Sequence, residues 1–166
     1  MQRHPTLDRR GFVASTAAAA AFVLLGCSEA AQSQPAAQTK AEPIRMVVYR
    51  DPSCPCCEKW AALAGEAGYA VQMIDHPDMP AIKAQFGVPD ELLSCHTAVV
   101  AGYAIEGHVP LDDVARLVAE RPAGIAGIGV AGMPLGSPGM EVPGAKANEF
   151  SVMAFAKDGT TAPFAS

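Results

Sequence analysis

The sequence predicts an α/β domain with the element order β-α-β-α-β-β-α, followed by a Gly/Pro/Met-rich loop and a terminal strand. Three observations predict it. Apolar runs of buried-strand length alternate with stretches of helical periodicity. Glycines and prolines punctuate the boundaries between them. Three of the five cysteines crowd into one junction, Cys54-Pro55-Cys56-Cys57, between the first strand and the first helix.

Each element has its own reason. Ile44 to Tyr49 is β-branched and mostly apolar, as a buried strand requires. From Glu58 to Ala67, Trp60, Leu63, Ala64 and Ala67 recur at helical spacing while Lys59 and Glu66 can face water, so the cysteine loop is a strand-to-helix turn. Gly68 stops this helix, Ala70 to Ile74 makes a second strand, and Ala81 to Phe86 a short helix closed by Gly87. Strand, helix and strand with a short connection form a βαβ unit, whose crossover implies parallel pairing. Thr97 to Val100 and Ala104 to Glu106 are the third and fourth strands, joined antiparallel through Ala101-Gly102-Tyr103. Pro110 starts a helix over Leu111 to Glu120, with Val114, Leu117 and Val118 as its apolar stripe and Asp112 and Asp113 in the first turn, where the helix dipole favours acids. This is the thioredoxin-like order. Past Pro122 the texture turns Gly- and Pro-rich around Gly132 to Met140, and an irregular stretch of that length is either functional or disordered. Phe150 to Lys157 closes as the last strand before a turn at Asp158-Gly159.

The first residues read as an address rather than as part of the fold. Arg9-Arg10-Gly11-Phe12 precedes a charge-free, Ala-rich stretch from Gly11 to Gly26 and resembles a twin-arginine signal. The stretch is too short and too weakly apolar for a membrane span, so a signal over residues 1–26 is expected, with a flexible Ala/Gln-rich tether over 27–43 and one domain over 44–166. Leu24-Leu25-Gly26-Cys27 resembles a bacterial lipobox, which implies cleavage before Cys27, a diacylglycerol on its thiol and, with Ser28 following, sorting to the outer membrane. An ordinary cut near Ala30-Ala31, or an anchor retained uncut, are the alternatives. Without residues 1–26 the chain keeps 140 of its 166 residues, nine basic against sixteen acidic, for a net charge of −7. That is enough for one core but not two. No basic patch remains to suggest nucleic acid, and an acidic surface suits cations.

With Cys27 assigned to lipid, Cys54, Cys56, Cys57 and Cys95 form the candidate site. A loop at the head of a helix favours thiolate, because backbone N–H groups and the helix dipole stabilise the negative sulfur. Cys54 and Cys57 have the Cys-x-x-Cys spacing of thiol-disulfide exchange, whereas Cys56 offers a competing disulfide that an exchange enzyme does not need. Soft thiolates suit cuprous copper. Zinc also takes four thiolates, but usually from two separated Cys-x-x-Cys knuckles that this chain lacks, so copper stands ahead of zinc without spacing alone deciding it. Cys95-His96-Thr97 precedes the third strand, where it would face the loop. Cys95 is then a ligand or redox partner, and His96 a ligand, an acid/base group or a support behind the ligands. Met133 and Met140 are candidate thioether ligands, with core filling as the bland alternative. His108, at the end of the fourth strand, is a weaker candidate, since a histidine there is commonly just solvated. Trp60 is expected to shield the cluster from behind the helix.

Four blocks then carry a resemblance. Cys54-Pro55-Cys56-Cys57-Glu58-Lys59-Trp60, Leu93 through Val100, Tyr103 through Pro110, and Gly132-Met133-Pro134 with Gly136 through Glu141 closely resemble the CopG-type copper-resistance proteins, over about Ile44 to Phe155. Pro55 stands where that family usually has glycine. The resemblance implies a periplasmic, thioredoxin-like protein that binds several copper ions in a polynuclear thiolate cluster and serves copper resistance. It also implies a capacity to interconvert cuprous and cupric ions. Periplasmic copper-handling proteins or an electron partner would be its associates. A thiol-disulfide oxidoreductase using Cys54 and Cys57, and a non-catalytic copper buffer or chaperone, are the competing readings.

Overall fold

A computed structural model of the protein describes residues 42–164. The expected signal over 1–26, the lipidation candidate Cys27 and nearly all of the tether lie outside the described residues. Among the described residues seven strands form one mixed sheet with three α-helices: β1 Arg45–Arg50, α1 Pro55–Glu66, β2 Ala70–Asp75, α2 Met79–Gln85, β3 His96–Val100, β4 Tyr103–Glu106, α3 Leu111–Glu120, β5 Gly127–Gly129, β6 Met153–Phe155 and β7 Thr161–Pro163. The strand order is β2-β1-β3-β4-β5-β6-β7. β1 runs parallel to β2, as the crossover through α1 requires, and antiparallel to β3. Among the described residues no helix is long and apolar enough to cross a membrane.

The helix boundaries differ from expectation for local reasons. α1 begins at Pro55, three residues before the expected Glu58, because proline at the first helical position loses only an N–H that would have no partner there. Cys54 is therefore the N-cap, while Cys56 and Cys57 lie within the first turn of the helix. α2 begins at Met79 and not Ala81: the Asp78 carboxylate caps it, accepting from the Ala81 N–H at 3.0 Å. The β3–β4 connection is the two residues Ala101 and Gly102, with φ of 50° and 90°, so Tyr103 belongs to β4. Two successive residues in the left-handed region match the twist of the strands they join.

β5 was not expected at all. It lies inside the Gly-rich texture, and its glycines serve close packing there. A Cβ on Gly127 would run into the Ala104 carbonyl oxygen and the Phe155 ring, so only glycine lets β5 slot between β4 and β6. The expected final strand over Phe150 to Lys157 is shorter, and its turn at Asp158-Gly159 returns as β7.

The core lies between α1 and α3 and the sheet. Met46 and Val48 of β1, Trp60 and Ala64 of α1, Ile105 of β4, Leu117 of α3 and Ile128 of β5 are all fully buried in one cluster. Burying a large apolar side chain contributes about 1.5–3 kcal/mol, so this cluster fixes α1 against β1 and β3. The head of α1 is thereby held beside the start of β3.

Candidate metal centre

The four candidate cysteines converge from two elements. Cys54, Cys56 and Cys57 occupy the N-cap and first turn of α1, and Cys95 immediately precedes β3, which pairs with β1. One sulfur from each lies within 4.8 Å of all the others. Cys54 and Cys57 are joined as a disulfide, and Cys56 and Cys95 are free thiols. The Cys56 Sγ stands 3.4 Å from Cys54 Sγ, 3.8 Å from Cys95 Sγ and 3.9 Å from Met133 Sδ. It is the hub of the sulfur group. As it stands the group offers two thiols, and all four become available as ligands only when two electrons and two protons open the disulfide.

The loop before α1 is anchored on Arg50. Its guanidinium donates to the Cys54 carbonyl at 3.1 Å and is ion-paired to Glu58 of α1 at 2.9 Å and Asp75 of β2 at 2.8 Å. On the other side the 132–140 loop packs over the first turn. At Gly139, φ is +83° and a Cβ would stand 3.0 Å from the Trp60 nitrogen and 3.4 Å from the Cys56 carbonyl oxygen, so the loop approaches the helix backbone through glycine.

His96 and His108 both face Cys95. His96 Nδ1 is 3.3 Å and His108 Nε2 3.1 Å from its sulfur, and the three residues form a second group within 4.8 Å. The expectation of a solvated His108 is corrected: its side chain is fully buried, because Gly107, at φ +71°, turns the chain inward after β4. His108 Nδ1 lies 2.8 Å from the Pro138 carbonyl oxygen. A carbonyl only accepts, so the proton is on Nδ1 and the Nε2 lone pair faces Cys95. Burial holds His108 below the ordinary imidazole range and His96 well below it. Both are therefore neutral at pH 7, the form in which imidazole binds metal. His96 Nε2 is buried without a hydrogen-bond partner. Burial first, then the neighbouring Cys56, pushes the Cys95 thiol up to about 12, so in this form it keeps its proton and a cation would have to displace it.

Met133 joins the group with its side chain half exposed. Met140 enters the same loop through its backbone, donating to the Ser137 carbonyl and accepting from the Gly136 N–H. Trp60 is buried behind the cluster as expected: its ring lies 4.8 Å from that of His96, and its N–H donates to the Val109 carbonyl at 2.9 Å. Three residues of the site's surroundings were not singled out from sequence: Lys83, Ser94 and Glu106. The available signal was a lone lysine among the apolar residues of α2 and a lone glutamate ending the apolar β4.

Sulfur donors, with a thioether beside Cys56 and a neutral imidazole lone pair beside Cys95, make a soft-cation donor set. Fold and site together define a mixed α/β protein with a cysteine cluster that could hold a metal. Two solved structures, both named copper resistance protein CopG, are similar to this chain at 38% identity. The first has a TM-score of 0.69, with 75% of this chain and 97% of that one covered. The second has a TM-score of 0.70, with 75% and 98% covered. A family model described as "Protein of unknown function, DUF411" matches residues 92–140, the segment from β3 to the Met-bearing loop. No curated protein sequence matches. The chain belongs to the CopG family of copper resistance proteins.

Proposed function

We propose that the chain is an exported copper-binding protein of copper resistance. Reduced Cys54, Cys56, Cys57 and Cys95 together hold several cuprous ions as a polynuclear thiolate cluster, with His108 and Met133 as flanking donors. The observation that carries this reading is the position of Cys56, whose free sulfur lies between Cys54 and Cys95, each less than 4 Å away. The sequence of helices and the β2-β1-β3-β4 strand order support a thioredoxin-like unit, extended by β5, β6 and β7. Anaerobic titration of the reduced protein with cuprous ion is the test. Several ions per chain are expected, with loss on Cys56→Ser; absence of binding contradicts it.

Copper redox is part of the same proposal. Joining the Cys54 and Cys57 thiols releases two electrons and two protons, which balances the reduction of two cupric ions to two cuprous ions, and each further turn needs an external two-electron, two-proton donor to reopen the disulfide. Turnover separates this from a passive buffer or chaperone, in which copper changes valence no faster with protein than without.

The disulfide also favours a second reading, a thiol-disulfide oxidoreductase. Metal-free insulin reduction that survives Cys56→Ser would establish it. The periplasmic location and the outer-membrane anchor rest on the leader motifs. Intact mass of the exported protein tests them, with a diacylglycerol on an N-terminal Cys27 expected and a mature chain starting beyond it contradicting the anchor.

A further inference from the structure

Behind the sulfur group lies a buried polar knot. Glu106 has no exposed surface and Lys83 is 7% exposed. Glu106 Oε1 accepts from Lys83 Nζ at 2.5 Å and from the Ser94 N–H at 2.7 Å, while Oε2 accepts from the Thr97 hydroxyl at 2.6 Å. Lys83 Nζ donates in turn to that hydroxyl at 3.2 Å. Glu106 and Thr97 are cross-strand partners of β4 and β3, and Lys83 reaches them from α2.

Each bond leads toward a donor of the site. Ser94 is the neighbour of Cys95, and its hydroxyl donates to the Gly132 carbonyl while the Gly132 N–H donates to Leu93 at 3.0 Å, which ties the residue before Met133 to the same segment. On the other side Gly107 has no room for a Cβ against the Ser94 side chain and the Val130 carbonyl, and the next residue is His108. The segments bearing Cys95, Met133 and His108 therefore meet around one carboxylate. The ion pair by itself is not what a core needs for cohesion, since a well-packed apolar pair of similar volume is often neutral or stabilising, whereas the carboxylate's bonds to Ser94 and Thr97 have no apolar substitute.

We infer that Glu106, paired with Lys83, is a positioning residue of the site: it holds the Cys95 and Met133 segments over the α1 cysteines and so sets how tightly they grip a soft cation. The affinity part rests on the copper reading above; the positioning part does not.

The test uses the full chain, reduced and anaerobic, as wild type, E106Q and the apolar double variant K83M/E106L. Three quantities are read: the urea midpoint, the alkylation rate of Cys95 relative to Cys56 in metal-free protein, and cuprous affinity by competition with a chromophoric chelator. The double variant takes the acceptor away from the Thr97 hydroxyl and the Ser94 N–H, so it is expected to stay folded with a somewhat lower midpoint, to alkylate Cys95 several-fold faster relative to Cys56, and to bind copper about 10- to 100-fold more weakly, beyond what the lost stability accounts for. E106Q, which keeps the volume and one acceptor oxygen, is expected between the two. A folded double variant with wild-type alkylation and affinity overturns the inference, as does a loss of affinity that only tracks a loss of stability. If the double variant does not fold, E106Q carries the same criteria. If wild type binds no cuprous ion, the copper reading fails and the metal-free alkylation ratio still decides the positioning.

Discussion

The sulfur of Cys56 lies outside the Cys54–Cys57 disulfide and within reach of Cys54, Cys95 and Met133, the placement on which the copper reading rests. Its surplus to a Cys-x-x-Cys pair was legible in the sequence because it depends only on spacing. The neighbours of Cys95 were less so. His108 lies 13 positions away, and only the turn at Gly107 brings its Nε2 to the sulfur. The buried state of His96 has a consequence for pH. Its folded pKa is lowered by burial, then by His108 and Lys83, so in acid the unfolded chain takes up a proton that the folded one refuses. Its contribution to stability is present above the ordinary imidazole value of about 6.5 and is lost as pH falls below it. In metal-free protein the His96 ring signals in an NMR titration are expected to stay unmoved through that value; an ordinary midpoint near it would contradict the burial argument.

At the scale of elements, legibility followed how many signals agreed. α3 runs over the expected residues because Pro110, an acidic first turn and an apolar stripe coincide, and Pro122 follows soon after its end. α1 was expected to start too late, since proline serves a loop and a first helical position equally well. β5 was hidden because glycine usually signals a turn, and its packing role at Gly127 needs β4 and β6 in place to be seen. The 132–140 loop, expected to be functional or disordered, is ordered by contacts with α1. Gly139→Ala tests that contact. At φ +83° with the Trp60 nitrogen at 3.0 Å, a methyl group is expected to cost about 1–3 kcal/mol and to loosen Met133 from Cys56. Chemical denaturation measures the cost, and an unchanged midpoint would show that the loop does not clamp the helix.

For the whole molecule, the order of strands and helices up to α3 was legible, and with it the meeting of two distant cysteine segments. The parallel β1–β2 pair and the antiparallel β1–β3 pair bring the head of α1 beside the start of β3. Beyond α3 little was legible, because β5, β6 and β7 are three residues each, too short for a periodic signal. The Lys83–Glu106 pair escaped for a related reason: its partners are 23 residues apart, and each alone resembles an ordinary solvated charge. The domain brings four sulfurs together, and their redox state decides how many are free. Cuprous titration of the reduced protein, wild type beside Cys56→Ser, tests that most directly. Several ions per wild-type chain and a clear fall in stoichiometry for the variant are expected; equal binding by both, or none by either, would overturn the copper reading.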